Sequence, residues 1–540
     1  MNLSQRLAVA LLSWLFLSAT ALLAQPRLIL VVSIDQMRYD YLTRFAPVYQ
    51  GGFKTLLDRG AVFTNSLYRH ANTETAPGHA VILSGQHPSH SGIVANLWYD
   101  PLLKRSFNVV DDPAHLPVGG PGRGASPANF LGASVGDKIR QKWPDSRVVA
   151  VAVKDRSAVL LAGRRATAAY WFEEGCGCFI TSTYYAAQPP AWLVEFNKRK
   201  LPDSYFQTPW TRLLPDSAVY EKYATADDSP GEWDLKDTTF PHAHRGRPPA
   251  RAYYENLRRT PFSDEMALEA ALGALQAHGL GAGPAPDLFI VSFSAADTIG
   301  HTYGSHSQEV MDTYLRLDRL LDRLLKAVEA RAGSGRALTI LTSDHGALPL
   351  PEWLQRQGID GQRRTGRSLL DAVQAAFRKR YPSAPDLVAL YEAPFFWLNL
   401  ETMARLGLRR AEVEQTAIRA LLDTGSIAAV YTHAGLLSDA PSRDPYLGLF
   451  RNSFFEPRSP HLIPLPKKNY YIDDFIGGSG HGTPYEYDRH VPLIWMGPGI
   501  KPGRHAALSG PEDIAPTLAR LLGIDYPLEP DARLLTEILP

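Results

Sequence analysis

Four continuous apolar runs of strand length, each followed by an ionisable residue, constrain the fold of this 540-residue chain more than any other feature. Such runs are typical of buried parallel strands, which are covered on both faces and therefore do not alternate apolar and polar residues. They are Leu28–Ile34 before Asp35, Arg147–Val153 before Lys154, Asp287–Phe293 before Asp297, and Ala337–Thr342 before Asp344 and His345. Ligands of open α/β sheets bind outside the carboxyl ends of the strands. The pattern therefore predicts an α/β fold with a mostly parallel central sheet and a functional site where these strands end.

The segments between the runs predict helices that flank the sheet. The clearest helix spans about 308–330, where apolar residues recur at intervals of three and four. Further helices are predicted over 262–277, 368–379, 411–422 and 510–522, and a fifth strand over 491–496. Two stretches, about 165–260 and about 350–465, do not keep the alternation of strand and helix. We interpret both as insertions that form a cap over the carboxyl edge of the sheet.

The N-terminus predicts export from the cytoplasm. Arg6 precedes an uncharged apolar run over 7–24, and this order is typical of a secretory signal. We expect residues 1–24 to be a signal peptide and 27–540 to be a single domain of a periplasmic or secreted protein, with a retained membrane anchor as the alternative. The formal net charge of +1 argues against a nucleic-acid or membrane-surface partner.

The chain has two cysteines, Cys176 and Cys178, separated by one glycine. They can pair in an oxidising compartment, although the ring is small. A Cys-x-Cys segment without further cysteine or nearby histidine is a weak metal signal. We interpret the segment as a turn between two strands and leave its redox state open.

Thr75 lies at the start of a predicted helix, in the segment Thr-Ala-Pro-Gly-His that Pro77 opens. A hydroxyl group there faces the unpaired N–H groups and the positive end of the helix dipole, which favours a phosphoryl or other anionic group. Taken alone, the segment favours an ordinary N-cap, because threonine is a common N-cap residue. The distribution of acids and histidines elsewhere in the chain favours the functional interpretation.

Acids and histidines follow the predicted strands or lie in a glycine-rich loop. They are Asp35, Asp297, His301, Asp344, His345 and His481. Asp297 and His301 lie one helical turn apart, a spacing that suits a shared metal ion. Buried acids and histidines are costly unless they are paired or bind metal. With Thr75 the set suits two divalent ions, preferably zinc, and two such ions roughly 4 Å apart form a clamp for displacement at phosphorus.

Seven segments, taken together, resemble the alkaline phosphatase superfamily. They are Ser33-Ile-Asp35, Thr75-Ala-Pro-Gly-His79, Gly92-Ile-Val-Ala-Asn96-Leu-Trp-Tyr-Asp100, Lys154-Asp-Arg156, Asp297-Thr-Ile-Gly-His301, Ser343-Asp344-His345-Gly and Gly480-His481-Gly-Thr-Pro. The resemblance is greatest to the phosphate-irrepressible, threonine-nucleophile alkaline phosphatases of bacterial periplasms. The segments occur in the order of that family and span nearly the whole chain after the leader.

The resemblance implies an alkaline-phosphatase-like α/β sandwich with a cap and two Zn²⁺ ions. It implies that one ion binds Asp297, His301 and His481. The other would bind Asp35, Asp344, His345 and Thr75, with Thr75 also the nucleophile. Asn96, Lys154 and Arg156 would contact the phosphoryl oxygens. The expected activity is hydrolysis of small phosphate monoesters through a covalent phosphothreonine, by a monomer with no nucleic-acid or stable membrane partner.

The segment that contains Lys154 and Arg156 favours monoesters over diesters. Because the two residues alternate directly after a buried strand, we expect their side chains to leave on the same side. A monoester carries one more negative charge than a diester, and two fixed cations can select it. The alternative is a solvated turn without a role in binding.

Other functions remain open at this stage. A phosphodiesterase or nucleotide pyrophosphatase has the same two-zinc core, and a non-catalytic periplasmic binding protein can keep the fold. A sulfatase is disfavoured because the chain lacks a Cys or Ser in the Cys-x-Pro-x-Arg setting. We interpret His79, Asp40, Asp100 and His490 as structural residues.

Overall fold

A computed structural model describes residues 25–101, 103–233, 236–384, 386–475 and 477–539, so the predicted signal peptide at 1–24 lies outside the described residues. The strands are, in chain order, β1 (Leu28–Ile34), β2 (Ala61–Phe63), β3 (Leu97–Asp100), β4 (Arg105–Asn108), β5 (Pro117–Val118), β6 (Val148–Ala152), β7 (Ala168–Glu173), β8 (Cys178–Ser182), β9 (Asp287–Phe293), β10 (Ala337–Thr342), β11 (Gln362–Arg364), β12 (Val388–Glu392), β13 (Phe395–Leu398), β14 (Ile427–Thr432), β15 (Leu462–Pro466), β16 (Tyr470–Ile472), β17 (Leu493–Met496) and β18 (Gly503–His505).

Helices flank and connect these strands. They are α1 (Tyr41–Arg44), α2 (Gly52–Arg59), α3 (Thr75–Ser84), α4 (Pro88–Ser91), α5 (Val135–Lys142), α6 (Asp155–Ala162), α7 (Ala191–Lys198), α8 (Leu201–Ser204), α9 (Ser217–Tyr223), α10 (Arg251–Leu257), α11 (Phe262–Ala277), α12 (Ala295–Tyr303), α13 (Gln308–Ala332), α14 (Pro351–Arg356), α15 (Gly366–Arg380), α16 (Leu400–Arg405), α17 (Arg410–Asp423), α18 (His433–Leu437), α19 (Leu447–Ser453), α20 (Glu486–Arg489) and α21 (Ile514–Leu521). Short 3₁₀ turns occur at Ala46–Val48, Pro511–Asp513 and Thr536–Ile538.

The central sheet has ten strands in the order β18-β2-β17-β10-β1-β9-β6-β7-β8-β5. Its middle is parallel, because β1 pairs in parallel with β10 and β9, and β6 pairs in parallel with β9 and β7. The strands β17 and β8 join it in the antiparallel sense. The predicted mostly parallel sheet is thus confirmed. The four apolar runs are the adjacent strands β10, β1, β9 and β6.

Both faces of the parallel strands are covered, which explains why their sequences are continuously apolar. Leu30 and Val32 of β1 pack in one core with α11 and α13. Ile29 and Val31 pack in a second core, on the other face, with α3, α6 and α21. Since the side chains of a strand alternate between its faces, a strand between two helical layers needs apolar residues at every position. The predicted helices that form these layers are confirmed, with α13 extending to Ala332.

The parallel arrangement brings four strand ends to one edge of the sheet. Asp35 follows β1, Lys154 follows β6, and Asp344 follows β10. Asp297 lies in the first turn of α12, which begins two residues after β9. The ionisable residues that the sequence places after separate strands therefore lie side by side in the structure.

The first stretch predicted as an insertion, about 165–260, differs from that prediction at its start. Its strand-like aromatic runs form β7 and β8, and these extend the central sheet beyond β6. β7 pairs with the free edge of β6 and β8 pairs with β7, which satisfies their backbone groups and buries their aromatic side chains. Cys176 and Cys178 form a disulfide in the turn between β7 and β8. That observation confirms the predicted turn between strands.

The second stretch, about 350–465, builds a smaller sheet of its own. Its strands β12, β13, β15 and β14 pair antiparallel in that order. The helices α15 and α17 cover this sheet and share a separate apolar core with it. Residues of β13 and β15 line a cavity together with residues of the strand-end loops.

None of the helices in the described part of the chain combines the length and the apolar character that a bilayer span requires.

Candidate active site

Thr75 occupies the first position of α3 and is 2% exposed. Glu74 precedes it as the N-cap, in an extended conformation, and no side chain caps the helix there. The alternative interpretation of Thr75 as the N-cap is therefore wrong. Its hydroxyl group lies at the positive end of the helix, among N–H groups that have no partner within the helix.

A glycine lets α3 approach the strand end that carries Asp344. A Cβ atom built on Gly78 would lie 2.2 Å from the backbone oxygen of Asp344. Real Cβ atoms do not approach a carbonyl oxygen that closely, so no other residue fits without moving the helix. The Thr-Ala-Pro-Gly-His segment thus places Thr75 beside the acids of the sheet edge.

Two groups of side chains can each hold a metal ion, with ligand atoms that lie within 4.8 Å of one another. The first is Asp297, His301 and His481, and the second is Asp35, Asp297 and His345. In the first group, Asp297 Oδ1 lies 3.2 Å from His301 Nε2 and 3.7 Å from His481 Nε2. In the second, Asp35 Oδ1 lies 3.5 Å from His345 Nε2. Asp297 belongs to both groups.

The three histidines present the same ring nitrogen to the site. Each Nδ1 lies against a backbone carbonyl, and a carbonyl only accepts, so each Nδ1 carries the proton. In a neutral ring this leaves the lone pair on Nε2, directed at the carboxylates. The contacts are His301 Nδ1 to Ser479 O at 2.7 Å, His345 Nδ1 to Gly346 O at 2.9 Å and His481 Nδ1 to Thr73 O at 2.7 Å. Burial lowers the pKa of His345 and of His481, which keeps both rings neutral near pH 7.

Orphaned polar atoms provide an independent test of whether the site fits metal ions. Oδ1 of Asp35 and Nε2 of His345 are buried without a hydrogen-bond partner among the described residues. Burial, with the like charges of Asp297 and Asp344, raises the pKa of Asp35 well above its ordinary value. Buried carboxylates and imidazoles of this kind are stable when a cation joins them. Oxygen and imidazole donors in one cluster are the donor set of zinc and similar divalent ions.

Lys154 lies between the two groups. Its Nζ lies 2.6 Å from Asp35 Oδ2 and 2.6 Å from Asp297 Oδ2, and 3.4 Å from Thr75 Oγ1. The two aspartates thus turn Oδ2 to the lysine and Oδ1 to the histidines. Although burial opposes it, Lys154 lowers the pKa of Asp297 well below its ordinary value. One ammonium group therefore contacts two carboxylates through their Oδ2 atoms, while both Oδ1 atoms face the histidines.

Asp344 differs from the other two aspartates in how its oxygens are used. Its Oδ1 accepts the backbone N–H of Gln36 at 3.1 Å and that of His345 at 3.0 Å. Its Oδ2 lies 3.2 Å from His79 Nδ1 and 3.5 Å from His345 Nε2. Asp344 therefore lies beside the second group through one oxygen, and Asp297 takes the place in that group that the resemblance assigns to Asp344.

A cavity of about 480 Å³ opens in front of these residues. Asn96, Arg156, His301 and His481 line it, together with residues of β13 and β15. Asn96 Oδ1 accepts the N–H of Ala76 at 2.9 Å, so its Nδ2 remains a donor. The cavity thus joins a helix start, an amide and a guanidinium group, which are all groups that bind phosphate oxygens.

The local geometry of Lys154 and Arg156 differs from the sequence prediction. Lys154 is the N-cap of α6, and Arg156 lies in its first turn. The segment therefore does not continue the strand, and the argument from alternation does not hold. The lysine enters the carboxylate cluster and the arginine lines the cavity, because the helix start separates their directions.

Sequence reasoning missed Gln36, which connects Asp297, the residue that both candidate metal groups share, to Asp344. Its side chain donates from Nε2 to Asp297 Oδ1 at 3.0 Å, while its backbone N–H donates to Asp344. Its φ of 63° is in the left-handed region, which a non-glycine residue adopts at a cost. Strain of this kind is typical of functional sites. Only its position next to Asp35 gave a signal in the sequence.

The sequence analysis interpreted His79 as a structural residue. The structure shows that this residue also contacts the strand ends of the site. Its ring is fully buried, with Nδ1 lying 2.8 Å from the carbonyl oxygen of Thr75. The same nitrogen faces Asp344, and Nε2 lies 3.1 Å from Ser33 Oγ and 3.3 Å from Ser292 Oγ. His79 therefore connects the helix that carries Thr75 to the ends of β1, β9 and β10.

Asp264 holds the start of α12. Its Oδ1 accepts the N–H groups of Ser294 and Ala295 at 2.9 and 3.0 Å. Burial raises the pKa of Asp264 to about 7. This side chain, which the sequence did not single out, fixes the helix that carries Asp297 and His301.

The structural interpretation of Asp40 and His490 agrees with their contacts. Asp40 pairs with Arg38 at 2.6 Å and with Arg44 at 3.7 Å. The ring of His490 stacks on that of Tyr39, with centroids 4.5 Å apart. Neither residue belongs to the metal groups of the described residues.

Comparison with known proteins gives consistent matches. Residues 29–483 match the family model of the type I phosphodiesterases and nucleotide pyrophosphatases. Alkaline phosphatase PhoV of Synechococcus elongatus is 32% identical over 523 residues, which cover 96% of this chain and 93% of that protein. Alkaline phosphatase PafA of Elizabethkingia meningoseptica is 30% identical over 528 residues, covering 95% of each.

The fold matches a solved structure over nearly its full length. The crystal structure of PafA superimposes with a TM-score of 0.89 at 30% identity, covering 96% of this chain and 99% of that chain. A PafA variant changed at one threonine, one asparagine, one lysine and one arginine superimposes with a TM-score of 0.88.

Proposed function

The chain belongs to the type I phosphodiesterase and nucleotide pyrophosphatase family, and from that membership we propose that it is an alkaline phosphatase that hydrolyses small phosphate monoesters. The similarity to PhoV and PafA, both named alkaline phosphatases, supports a phosphoric monoester hydrolase. The observation that carries the proposal is the placement of Thr75, at a helix start, 3.4 Å from a lysine that bridges two candidate metal groups.

We further propose that two zinc ions occupy these groups. One would bind Asp297, His301 and His481, and the other Asp35 and His345 with a free oxygen of Asp297 or Asp344 and the hydroxyl group of Thr75. When bound, the ions lower the pKa of a coordinated hydroxyl group or water and offset charge on phosphate oxygens. The mixed nitrogen and oxygen donors favour zinc over magnesium or calcium.

In the proposed reaction Thr75 is the nucleophile. Its Oγ1 gives up its proton and forms a bond to phosphorus as the ester P–O bond breaks, and one proton is returned to the leaving oxygen, which becomes the free alcohol. Water then breaks the P–Oγ1 bond, which releases inorganic phosphate and restores the hydroxyl group. Asn96 Nδ2, Arg156 and the N–H groups at the start of α3 hold the phosphoryl oxygens through both steps.

The same family includes phosphodiesterases, so the choice between monoester and diester depends on charge. Lys154 and Arg156 are both cations, and one is buried in the carboxylate cluster while the other lines the cavity. The PafA variant has substitutions at a threonine, an asparagine, a lysine and an arginine. These are the residue types of Thr75, Asn96, Lys154 and Arg156. These observations support the monoesterase over the phosphodiesterase.

We propose that the protein acts in the periplasm or outside the cell. The apolar leader at 7–24 and the Cys176–Cys178 disulfide support that location, because disulfides persist in oxidising compartments. The cavity in front of the site has a volume of about 480 Å³, which suits small-molecule substrates rather than nucleic acid.

Side-by-side turnover of an aryl phosphate monoester, diester and sulfate by the zinc-loaded protein tests the activity. We expect the monoester to be the best substrate, and mass spectrometry of quenched reactions to find phosphate on Thr75. Thr75→Ala should lose the phospho-enzyme and turnover, Thr75→Ser should keep part of both, and the exposed control Thr43→Ala should match the wild type. Faster turnover of the diester supports the phosphodiesterase instead. Zinc and phosphate binding without turnover of any ester overturns the proposal in favour of a binding protein.

A further inference from the structure

Three hydrogen bonds join the chain around the start of α3 to the chain that leads into β3. They are Asn72 Nδ2 to Val94 O at 2.7 Å, the N–H of Asn96 to Glu74 Oε2 at 2.8 Å, and the N–H of Ala76 to Asn96 Oδ1 at 2.9 Å. Two of these bonds involve Asn96, and their partners are the two neighbours of Thr75. The residues on both sides of the proposed nucleophile therefore hold the asparagine that is proposed to bind the phosphoryl group.

The side chain of Glu74 holds Asn96 instead of capping its own helix. Glu74 is the N-cap of α3, yet its side chain makes no capping hydrogen bond. The residues that cap helices best are Ser, Thr, Asp and Asn, whose short side chains reach the N–H groups of the first turn. Helix capping therefore does not explain a glutamate here. Its oxygen accepts an N–H group from a residue 22 positions further along the chain.

Asn96 is fixed through three of its four polar groups. Its backbone N–H donates to Glu74, its backbone oxygen accepts the N–H of Val109 at 3.1 Å, and its Oδ1 accepts the N–H of Ala76. Because a backbone N–H only donates, the bond from Ala76 also decides which amide atom of Asn96 is the oxygen. The remaining group, Nδ2, is the donor for a ligand in the cavity that Asn96 lines.

A donor that is fixed in advance binds phosphate better than a mobile one. It needs no reorganisation when the phosphoryl group arrives, so its hydrogen bond contributes more to binding and to the transition state. The bond from Glu74 holds the backbone of Asn96, and the bond to Ala76 holds its side chain. Loss of the first bond should therefore reduce the affinity for phosphate, although Glu74 itself donates no hydrogen bond to it.

We propose that Glu74 is a positioning residue, which fixes Asn96 relative to Thr75 so that Asn96 Nδ2 meets a phosphoryl oxygen. This inference rests on the proposed function, in which Asn96 binds the phosphoryl group. The bond to the Asn96 N–H requires an acceptor oxygen at the end of a side chain as long as glutamate. Glutamine supplies that oxygen, whereas aspartate is one methylene group too short.

Binding of inorganic phosphate to the zinc-loaded, full-length protein tests the proposal without requiring turnover. Calorimetry gives the phosphate affinity, and steady-state kinetics on an aryl phosphate give kcat and KM. The variants are Glu74→Ala, Glu74→Asp and Glu74→Gln, and the control is Glu221→Ala, since Glu221 is exposed on α9. Zinc content and Tm are measured for each variant.

We expect Glu74→Ala and Glu74→Asp to bind phosphate about tenfold or more weakly and to lose kcat/KM by a similar factor. Loss of a group that orients a binding residue typically costs about 10–100-fold, as is known for residues around metal ligands. Glu74→Gln and the control should remain within about threefold of the wild type. All variants should keep a full zinc content, because Glu74 belongs to neither metal group of the described residues.

A double-mutant cycle with Asn96→Ala shows whether Glu74 acts through Asn96. If it does, Glu74→Ala should have no further effect on phosphate affinity in the Asn96→Ala background. Additive losses would overturn the proposal, because they would mean that Glu74 acts on Thr75 or on the helix. Glu74→Asp replaces Glu74→Ala in the cycle if the alanine variant does not fold.

Two further results separate this inference from the proposed function. Phosphate affinity of Glu74→Ala and Glu74→Asp equal to that of the wild type would overturn the positioning role, whatever the activity. A wild type that binds phosphate but hydrolyses no ester would overturn the proposed enzyme. In that case weaker phosphate binding by both variants, restored in Glu74→Gln, would still support the positioning role.

Discussion

Replacing Lys154 with alanine should destabilise the metal-free protein more than any surface substitution does. The ammonium group is 3% exposed and lies 2.6 Å from each of Asp35 and Asp297. Its removal leaves buried carboxylates, with Asp344 beside them, without this cation. Removing one partner of a buried ion pair typically costs ~3–5 kcal/mol. We expect a loss of that size in the free energy of unfolding of the metal-free protein, and a smaller loss after zinc loading, because bound cations offset the same carboxylates.

The same variant should lose activity through a second effect. Lys154 Nζ lies 3.4 Å from Thr75 Oγ1, within reach of a phosphoryl group transferred to that oxygen. Loss of one preorganised donor to the charge that develops in a transition state commonly lowers kcat by about 10²–10³. Lys154→Arg should not restore the rate, because a planar guanidinium group needs more room than a point charge between two carboxylates.

Urea unfolding of the metal-free and zinc-loaded forms, together with steady-state kinetics on an aryl phosphate, measures both effects. Lys142→Ala is the control, since Lys142 is exposed and its ammonium group contacts the carbonyl oxygens of Leu522 and Gly523 and the ring of Trp143. Unchanged stability of metal-free Lys154→Ala would refute the charge argument. A kcat of Lys154→Ala within tenfold of the wild type would show that Lys154 does not stabilise the transition state.

Four further outcomes are expected. Asp297→Ala should lower zinc content and nearly abolish turnover, because both metal groups use this residue; a full zinc complement by elemental analysis would contradict the assignment. Arg156→Ala should lower monoester turnover much more than diester turnover, and equal losses would favour the phosphodiesterase. Gln36→Gly should release zinc faster to a chelator at unchanged stability, since glycine keeps the backbone N–H and relieves the positive φ. The pKa of Asp264 is about 7 in the folded protein and 3.8 ordinarily, so ionisation of this carboxyl group destabilises the fold as the pH rises. The difference in the free energy of unfolding between Asp264→Asn and the wild type should therefore shift in favour of the variant by ~2 kcal/mol from pH 5.5 to pH 8.5. A difference that does not change with pH would exclude this explanation.

The central sheet was predictable because its signal is local. Each parallel strand buries both faces, so the apolar run in β1 or β10 identifies the strand without knowledge of its partners. The position of Asp35 and Asp344 at the edge then follows from the direction of the strands. The grouping of His481 with Asp297 and His301 was implied by the resemblance, since His481 comes from a distant loop that no local pattern brings to that helix.

Features that depend on tertiary partners were missed. β7 and β8 have aromatic sequences that suit a cap as well as a sheet edge, and only the free edge of β6 decides between them. Gln36 and His79 have no pattern of their own, because their role comes from contacts with residues more than 40 positions away. The start of α6 at Asp155 also changed the direction of Arg156, which a strand continuation would have placed beside Lys154.

The charge balance of the site connects its geometry to the proposed substrate. Asp35, Asp297 and Asp344 bring three negative charges to the strand ends, and Lys154 returns one positive charge. Neutral His345 and His481 add none. With the two divalent ions proposed here, and with Thr75 and the three histidines counted as neutral, these groups have a surplus of two positive charges. A phosphate monoester dianion matches that surplus, whereas a diester leaves one charge unbalanced in a buried environment, where imbalance is most costly. Selectivity for monoesters is therefore a property of the whole cluster, to which Arg156 adds a further cation at the cavity wall.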